Sequence, residues 1–267
     1  MDLGLKGKKA LVTGSSRGIG YAIAVELLRE GCAVAINGRS LTGLERALAE
    51  IRDDLHLSDT KAIVPIVGDV SKAATAREVV EKAASALGGL DLLVTNTGGP
   101  PSGAFEEIPD EAWERAINSL LMAHVRLIRH ALPYLRKSPT PSVLTITSYS
   151  VKQPIPRLVL SNSVRAATAA LTKTLALELG HERIRFNSIL PGWTATERVR
   201  ELMEARAEAK GTTVSDEIER QSREIPLGRF AHPVEIAKAA VFLLSPAASY
   251  ITGVLLNVDG GVYRGLC

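Results

Sequence analysis

The stretch Thr13-Gly14-Ser15-Ser16-Arg17-Gly18-Ile19-Gly20 decides the fold. It follows the apolar run Ala10-Leu11-Val12 and leads into a segment where Ile19, Ile23 and Leu27 recur at helical spacing before Gly31. A strand that turns through glycines into a helix leaves the first-turn N–H groups unpaired at the positive end of the helix dipole. Such an end predicts a pyrophosphate site. Gly14 fits the sharp turn, Gly18 the close approach of backbone to phosphate, and Gly20 the packing of helix on strand; Ser16, Arg17 and Ile19 complete the loop. The spacing is G-x-x-x-G-x-G, not the commoner G-x-G-x-x-G.

Composition narrows the rest. A chain of 267 residues, 46% of them hydrophobic, buries a sizeable core as one α/β domain over residues 1–267. The net charge of +3 and the absence of long like-charge runs argue against nucleic-acid or membrane partners and leave a small molecule. The two cysteines, Cys32 and Cys267, make no disulfide framework, which suits a reducing compartment. Met1 to Lys9 lacks an apolar signal region and no run approaches the ~18 apolar residues of a membrane span, so a cytoplasmic protein is expected.

Six further apolar runs read as strands: 33–36, 62–67, 90–94, 143–147, 184–190 and 254–258. Helical segments alternate with them at 41–55, 71–87, 110–135, 161–179 and 233–244, with Pro133 expected to kink or end its helix. The charged segment 196–223 reads as a helical insertion. This alternation predicts a seven-stranded parallel sheet, doubly wound and covered on both faces. Ligands bind such sheets beyond the carboxyl ends of the strands, so residues there are the candidates: Arg39, Asp69, Val70, Asn96, Thr97, Gly98, Ser148, Pro191, Gly192, Thr194 and Thr196.

Taken together, these strand ends resemble the short-chain dehydrogenase/reductase family, closest to its 3-oxoacyl-carrier-protein reductase-like members. Thr13 to Gly20 matches the cofactor loop, Asp69 the acid that holds the adenine amino group, and Thr95-Asn96-Thr97-Gly98, imperfectly, the family's Asn-Asn-Ala-Gly. Asn118 falls on the long-helix asparagine, Ser148 on the active-site serine, Pro191-Gly192 to Thr196 on the loop that closes over the nicotinamide, and Asn257 to Gly261 on the C-terminal signature. The resemblance implies a Rossmann-type fold, a dimer or tetramer built through the long-helix pair, a substrate lid at 196–223, and hydride transfer between a nicotinamide cofactor and a carbonyl or alcohol. No acid follows the second strand, where one would repel a 2′-phosphate. Arg39 and Arg17 are placed to meet that phosphate, so NADP(H) is favoured, with NAD(H) the alternative.

The family's proton donor is a tyrosine followed four residues later by a lysine. Here Ser161 stands at the tyrosine's place and Arg165 at the lysine's, and the downstream Leu171 to Leu179 aligns without a gap. An aliphatic hydroxyl is shorter and a far weaker acid than a phenol, whereas Arg165 keeps the ability to donate to ribose hydroxyls. Tyr149, directly after Ser148, is a candidate substitute acid, with plain packing as its alternative. Asn118, without a lysine to serve, either supports the site or binds a helix backbone. His124 and His130, six apart on the long helix, read as structural, and the cations of 196–223 as solvated, alternating with acids. Two functions remain open: an oxidoreductase with an atypical proton donor, or a dinucleotide-binding protein whose chemistry is impaired and which acts as sensor, ligand binder or assembly partner.

Overall fold

The structure, a computed structural model, describes residues 1–55 and 62–266; His56 and Cys267 lie outside them. Its strands are β1 (Lys9–Val12), β2 (Ala33–Gly38), β3 (Ile63–Val67), β4 (Leu92–Thr95), β5 (Ser142–Ile146), β6 (Arg185–Pro191) and β7 (Leu255–Val258). They form one seven-stranded sheet in the order β3-β2-β1-β4-β5-β6-β7, with every pairing parallel. The order reverses between β1 and β4, which opens a crevice beyond their carboxyl ends.

Alternation along the strands feeds two cores. Ala10, Val12, Val34 and Ile36 point to one face, where they pack beneath α1 (Gly18–Arg29), α2 (Leu41–Leu55) and α9 (Pro233–Leu244). Leu11, Ala35, Leu93 and Val143 point to the other, beneath α3 (Ala73–Leu87), α5 (Ala123–Leu135) and the end of α6 (Val159–Leu179). Strands buried on both faces explain why the sequence shows continuous apolar runs in place of polar alternation. α6 (Val159–Leu179) begins two residues before its expected start.

The expected long helix is α4 (Asp110–Ile117) joined to α5 by a π turn at Asn118–Met122. α5 ends at Leu135, so Pro133 falls in its last turn, where few hydrogen bonds remain to be lost and where the sequence predicts the helix to close. The segment 196–223 is a helix pair, α7 (Glu197–Lys210) and α8 (Val214–Arg223). No helix among the described residues is long and apolar enough to cross a membrane.

One half-buried cation ties the sheet to α9. The Arg185 guanidinium donates to the carbonyls of Leu243 (2.6 Å), Leu244 (2.9 Å), Ser245 (3.0 Å) and Ile251 (3.3 Å), the orphan acceptors at and beyond the end of α9. Truncation strands the Leu243 and Leu244 carbonyls, whereas Ser245 O keeps the Ala248 N–H and Ile251 O keeps the Asn187 amide. Arg185→Ala is expected to cost about 3 kcal/mol, read as a lowered urea midpoint with unchanged slope.

Candidate active site

The glycine loop is bound to the ends of its neighbouring strands. Thr13 Oγ1 donates to Asn96 O (2.9 Å) and accepts from Asn96 N (3.0 Å), while Asn96 Nδ2 donates to Gly14 O (3.0 Å). Ser15 N donates to Asn37 O (2.8 Å), and Ser15 Oγ accepts from Asn37 N (2.9 Å). Space is short there: a Cβ on Gly20 would lie 2.4 Å from Gly14 O and 2.8 Å from Asn96 Nδ2. Gly14 and Gly18 have φ of +56° and +63°, conformations that side chains other than glycine rarely adopt. Arg17, at the N-cap of α1, makes no side-chain cap, so the first-turn N–H groups face outward unserved.

A cleft of about 1180 Å³ runs from this loop along the strand ends. It is lined by every candidate named from the sequence except Gly20, which lies behind the loop. Several of them have structural partners. Asp69 Oδ1 accepts from Ser71 N (3.0 Å) and Ser71 Oγ (2.7 Å), closing the turn into α3. Thr194 Oγ1 donates to Gly192 O (3.1 Å), Thr196 Oγ1 caps α7 through Val199 N (3.3 Å), and a Cβ on Gly192 would strike Asp259 at 2.6 Å. Others are open. Gly98 has free space where a Cβ would sit, and the Thr97 hydroxyl is buried without a partner. Arg39 is exposed and makes no ion pair among the described residues.

The uncapped helix end, the crowded glycines, the open Gly98 and the orphaned Thr97 hydroxyl together fit a dinucleotide. Arg17 is not free, however. It pairs with Glu197 and reaches Glu201 at 3.9 Å, tying the loop to α7. Both partners are half-exposed, so the pair contributes about 0–1 kcal/mol at most, and a phosphate can replace it.

At the far end of the cleft, Ser148 Oγ accepts from Ser150 N (3.1 Å) and keeps its own proton for another acceptor. Ser161, in the first turn of α6, has no protein partner for its hydroxyl. One turn on, Arg165 is only 8% exposed; its Nη1 donates to Ile146 O (3.2 Å) and Thr147 O (3.4 Å), immediately behind Ser148. Burial, then the nearby Arg198, depresses its pKa to about 10, so the guanidinium stays charged at neutral pH.

Two candidates on the cleft wall are engaged by other partners. Asn118 does not serve Arg165: its amide donates to Glu114 O (3.1 Å), and its oxygen accepts from Arg126 (3.2 Å). The buried residue of that π turn is Leu120, whose carbonyl accepts from Thr168 Oγ1. Tyr149, the candidate acid, sits in a 3₁₀ turn and is packed among Leu190, Trp193, Met203, Ile225 and Val262. Burial raises its pKa against opposing pulls from the Trp193 indole and Arg206, which makes the phenol a weaker acid. The indole N–H approaches that phenol without meeting hydrogen-bond geometry and has no other partner.

The cations of 196–223 divide. Arg200 and Arg223 pair on the surface with Glu204 and Glu219. Arg206 lies over the Trp193 ring, 4.9 Å from its centroid, and Arg198 donates to Pro100 O across Gly99. These two are not the solvated charges that alternation suggested.

His124 also bears on the site. It is fully buried, its Nδ1 lies 2.7 Å from Thr95 Oγ1, and its Nε2 has no partner. Burial, then Arg165, pushes its pKa down to about 3. The unfolded chain binds this proton near pH 6.5 and the folded chain does not until about pH 3, so acid favours unfolding between those values. Stability is expected to fall by up to ~1.4 kcal/mol per pH unit across that window, and His124→Gln is expected to flatten the fall in urea titrations at pH 7 and pH 5.

Comparison with known proteins places this geometry. The family model described as Enoyl-(Acyl carrier protein) reductase matches residues 14–263. D-beta-hydroxybutyrate dehydrogenase of Cupriavidus necator is 34% identical, with 96% of this chain and 98% of that protein covered. L-sorbose reductase from Gluconobacter frateurii, solved with NADPH and L-sorbose, superposes with a TM-score of 0.92 at 32% identity over 100% of both chains. A short-chain oxidoreductase from Pseudomonas aeruginosa PAO1, solved with NADPH bound and described as containing an atypical catalytic center, gives 0.87 at 31% identity over 97% of both. With a parallel sheet of this order, a glycine loop at its reversal point and full-length relatives at this identity, the chain belongs to the short-chain dehydrogenase/reductase family.

Proposed function

We propose that the chain is an NADP(H)-linked oxidoreductase that interconverts a carbonyl compound and its alcohol without the usual tyrosine–lysine pair. The observation that carries this is the continuity of the cleft. One end is a cradle of crowded glycines at an uncapped helix N-terminus. The other brings the Ser148 and Ser161 hydroxyls beside a buried guanidinium. The L-sorbose reductase and Pseudomonas complexes, both holding NADPH, support the choice of cofactor.

NADPH, when bound, supplies a hydride to the carbonyl carbon from C4 of its nicotinamide. Gly14 to Ile19 hold the pyrophosphate through backbone N–H groups, and Arg39 meets the 2′-phosphate. Ser148 donates its hydroxyl proton in a hydrogen bond to the substrate oxygen. Arg165, fixed behind Ser148 by two backbone carbonyls, stabilises the negative charge that develops on that oxygen. The proton that completes the alcohol comes through the Ser161 hydroxyl, replenished from solvent. A serine is a poor acid, so turnover falls short of a phenol-equipped site by up to roughly 10²–10⁴-fold.

The second reading, binding without turnover, is favoured by Tyr149: the only phenol beside Ser148 is packed into the lid, and its acidity is weakened. The Ser161→Tyr/Arg165→Lys double variant separates the two readings. Wild type that consumes NADPH with a carbonyl panel, and a double variant that consumes it faster, establish the oxidoreductase. Wild type that binds NADPH yet is inert, beside an active double variant, establishes the binder. For the cofactor, Arg39→Gln is expected to weaken NADPH about tenfold by calorimetry while NADH changes little, as loss of one charge-assisted contact requires.

A further inference from the structure

The segment 153–158 runs from the turn after Ser148 to the start of α6, and it is anchored at two points. Asn162, beside Ser161 in the first turn of α6, clasps the Ile155 backbone in both directions. Its Oδ1 accepts from Ile155 N (3.3 Å) and its Nδ2 donates to Ile155 O (2.9 Å). Two residues on, Arg157 takes a φ of +62°, a conformation uncommon outside glycine. Its carbonyl accepts from Gly103 N (2.8 Å), and its guanidinium forks onto the Glu107 carboxylate at 3.0 and 2.8 Å. Pro154 and Pro156 stiffen the backbone between the anchors.

What this segment presents to the cleft is hydrocarbon. With its N–H and its carbonyl both engaged, Ile155 offers a ligand only its side chain, and it lines the cleft. The same side chain packs against the cluster of Tyr149, Trp193 and Met203. Val199 and Leu202, one turn apart on α7, belong both to that packing and to the cleft wall. A contiguous apolar surface therefore starts one residue from Ser161 and continues onto α7. An alkyl or aryl group laid on it leaves water at a gain, whereas a hydroxyl laid on it gives up water for no partner.

We propose that Ile155 is a specificity-determining residue and Asn162 the positioning residue behind it, so that the site takes ketones and secondary alcohols with an apolar substituent in preference to polyhydroxy compounds. The proposal rests on the oxidoreductase reading above and names its substrate class. The reacting carbonyl meets Ser148 and Ser161, and the substituent lies on Ile155, Val199 and Leu202. Because Asn162 directly follows Ser161, its clasp fixes the spacing between that hydroxyl and the apolar surface. Asn162 is not part of the cleft wall and acts through Ile155.

The test is calorimetric. The whole protein is titrated first with NADP+, which lets ketones bind without being reduced. The loaded protein is then titrated with 2-pentanone, 2-hexanone, 2-heptanone and 2-octanone, beside dihydroxyacetone and L-sorbose. Affinity is expected to rise with chain length, by up to about fourfold per methylene, and both polyhydroxy ketones to bind about tenfold or more weaker than 2-octanone. Ile155→Ala is expected to weaken 2-octanone about tenfold and to flatten the rise. Asn162→Ala is expected to do the same with NADP+ affinity unchanged, and Asn162→Asp, which keeps the acceptor and loses the donor, to lie between. The Ile155→Ala/Asn162→Ala double variant is expected to bind 2-octanone no worse than Ile155→Ala alone, because one residue acts through the other. Additive losses, or an Asn162→Ala variant that binds ketones like wild type, overturn the positioning role. Affinity that does not rise with chain length, or a polyhydroxy ketone that outbinds 2-octanone, overturns the substrate class although the cofactor reading stands. Absence of heat with both NADP+ and NADPH in the wild type overturns the oxidoreductase reading, and the proposal falls with it.

Discussion

The contact on which this structure depends is the approach of Gly20 to the backbone of Gly14, with the Asn96 amide wedged beside them. That approach sets the start of α1 directly on the end of β1. It also joins the loop to β4, the strand across the reversal point. The phosphate end of the cleft is therefore made from backbone, held by strands on both sides, before any side chain contributes. A methyl group at Gly20 would separate helix from strand and disorder every donor at once.

The opposite end of the cleft depends on side chains, and it is electrostatically unusual. Where the family places a flexible ammonium, this chain has a fork with one nitrogen pinned to Ile146 and Thr147. Fixing that group orients its free N–H bonds at no further entropic cost, but it also prevents the group from following the substrate. The neighbouring His124 stays neutral because burial, and then Arg165, oppose its charging.

Much of this was legible in the sequence because it rests on backbone chemistry. Glycine spacing, strand-end position and the reversal point are local or topological properties, and every cleft candidate but Gly20 does line the cleft. What failed was facing. A π turn at 118–122 interrupts the helix, Leu120 is buried there, and Asn118 takes the second of its two open readings with its amide on Glu114 O; no periodicity count reveals such a turn. Alternating charge at 196–223 looked solvated, yet Arg198 and Arg206 turn inward, because the pattern does not record which stripe meets Trp193 and Pro100. Tyr149 leaves its strand in a 3₁₀ turn and takes its packing alternative, in an apolar cluster whose other buried members lie more than forty positions away.

The helix pair above the cleft has one further property. Glu217, on α8, is 1% exposed and is held by Lys210 of α7 (3.1 Å), by Thr212 of the connecting turn (2.8 Å) and by Arg220. Separating α8 from α7 would cost Glu217 its bonds to Lys210 and Thr212 and leave it only Arg220 of its own helix, so this one carboxylate couples the two helices into a unit.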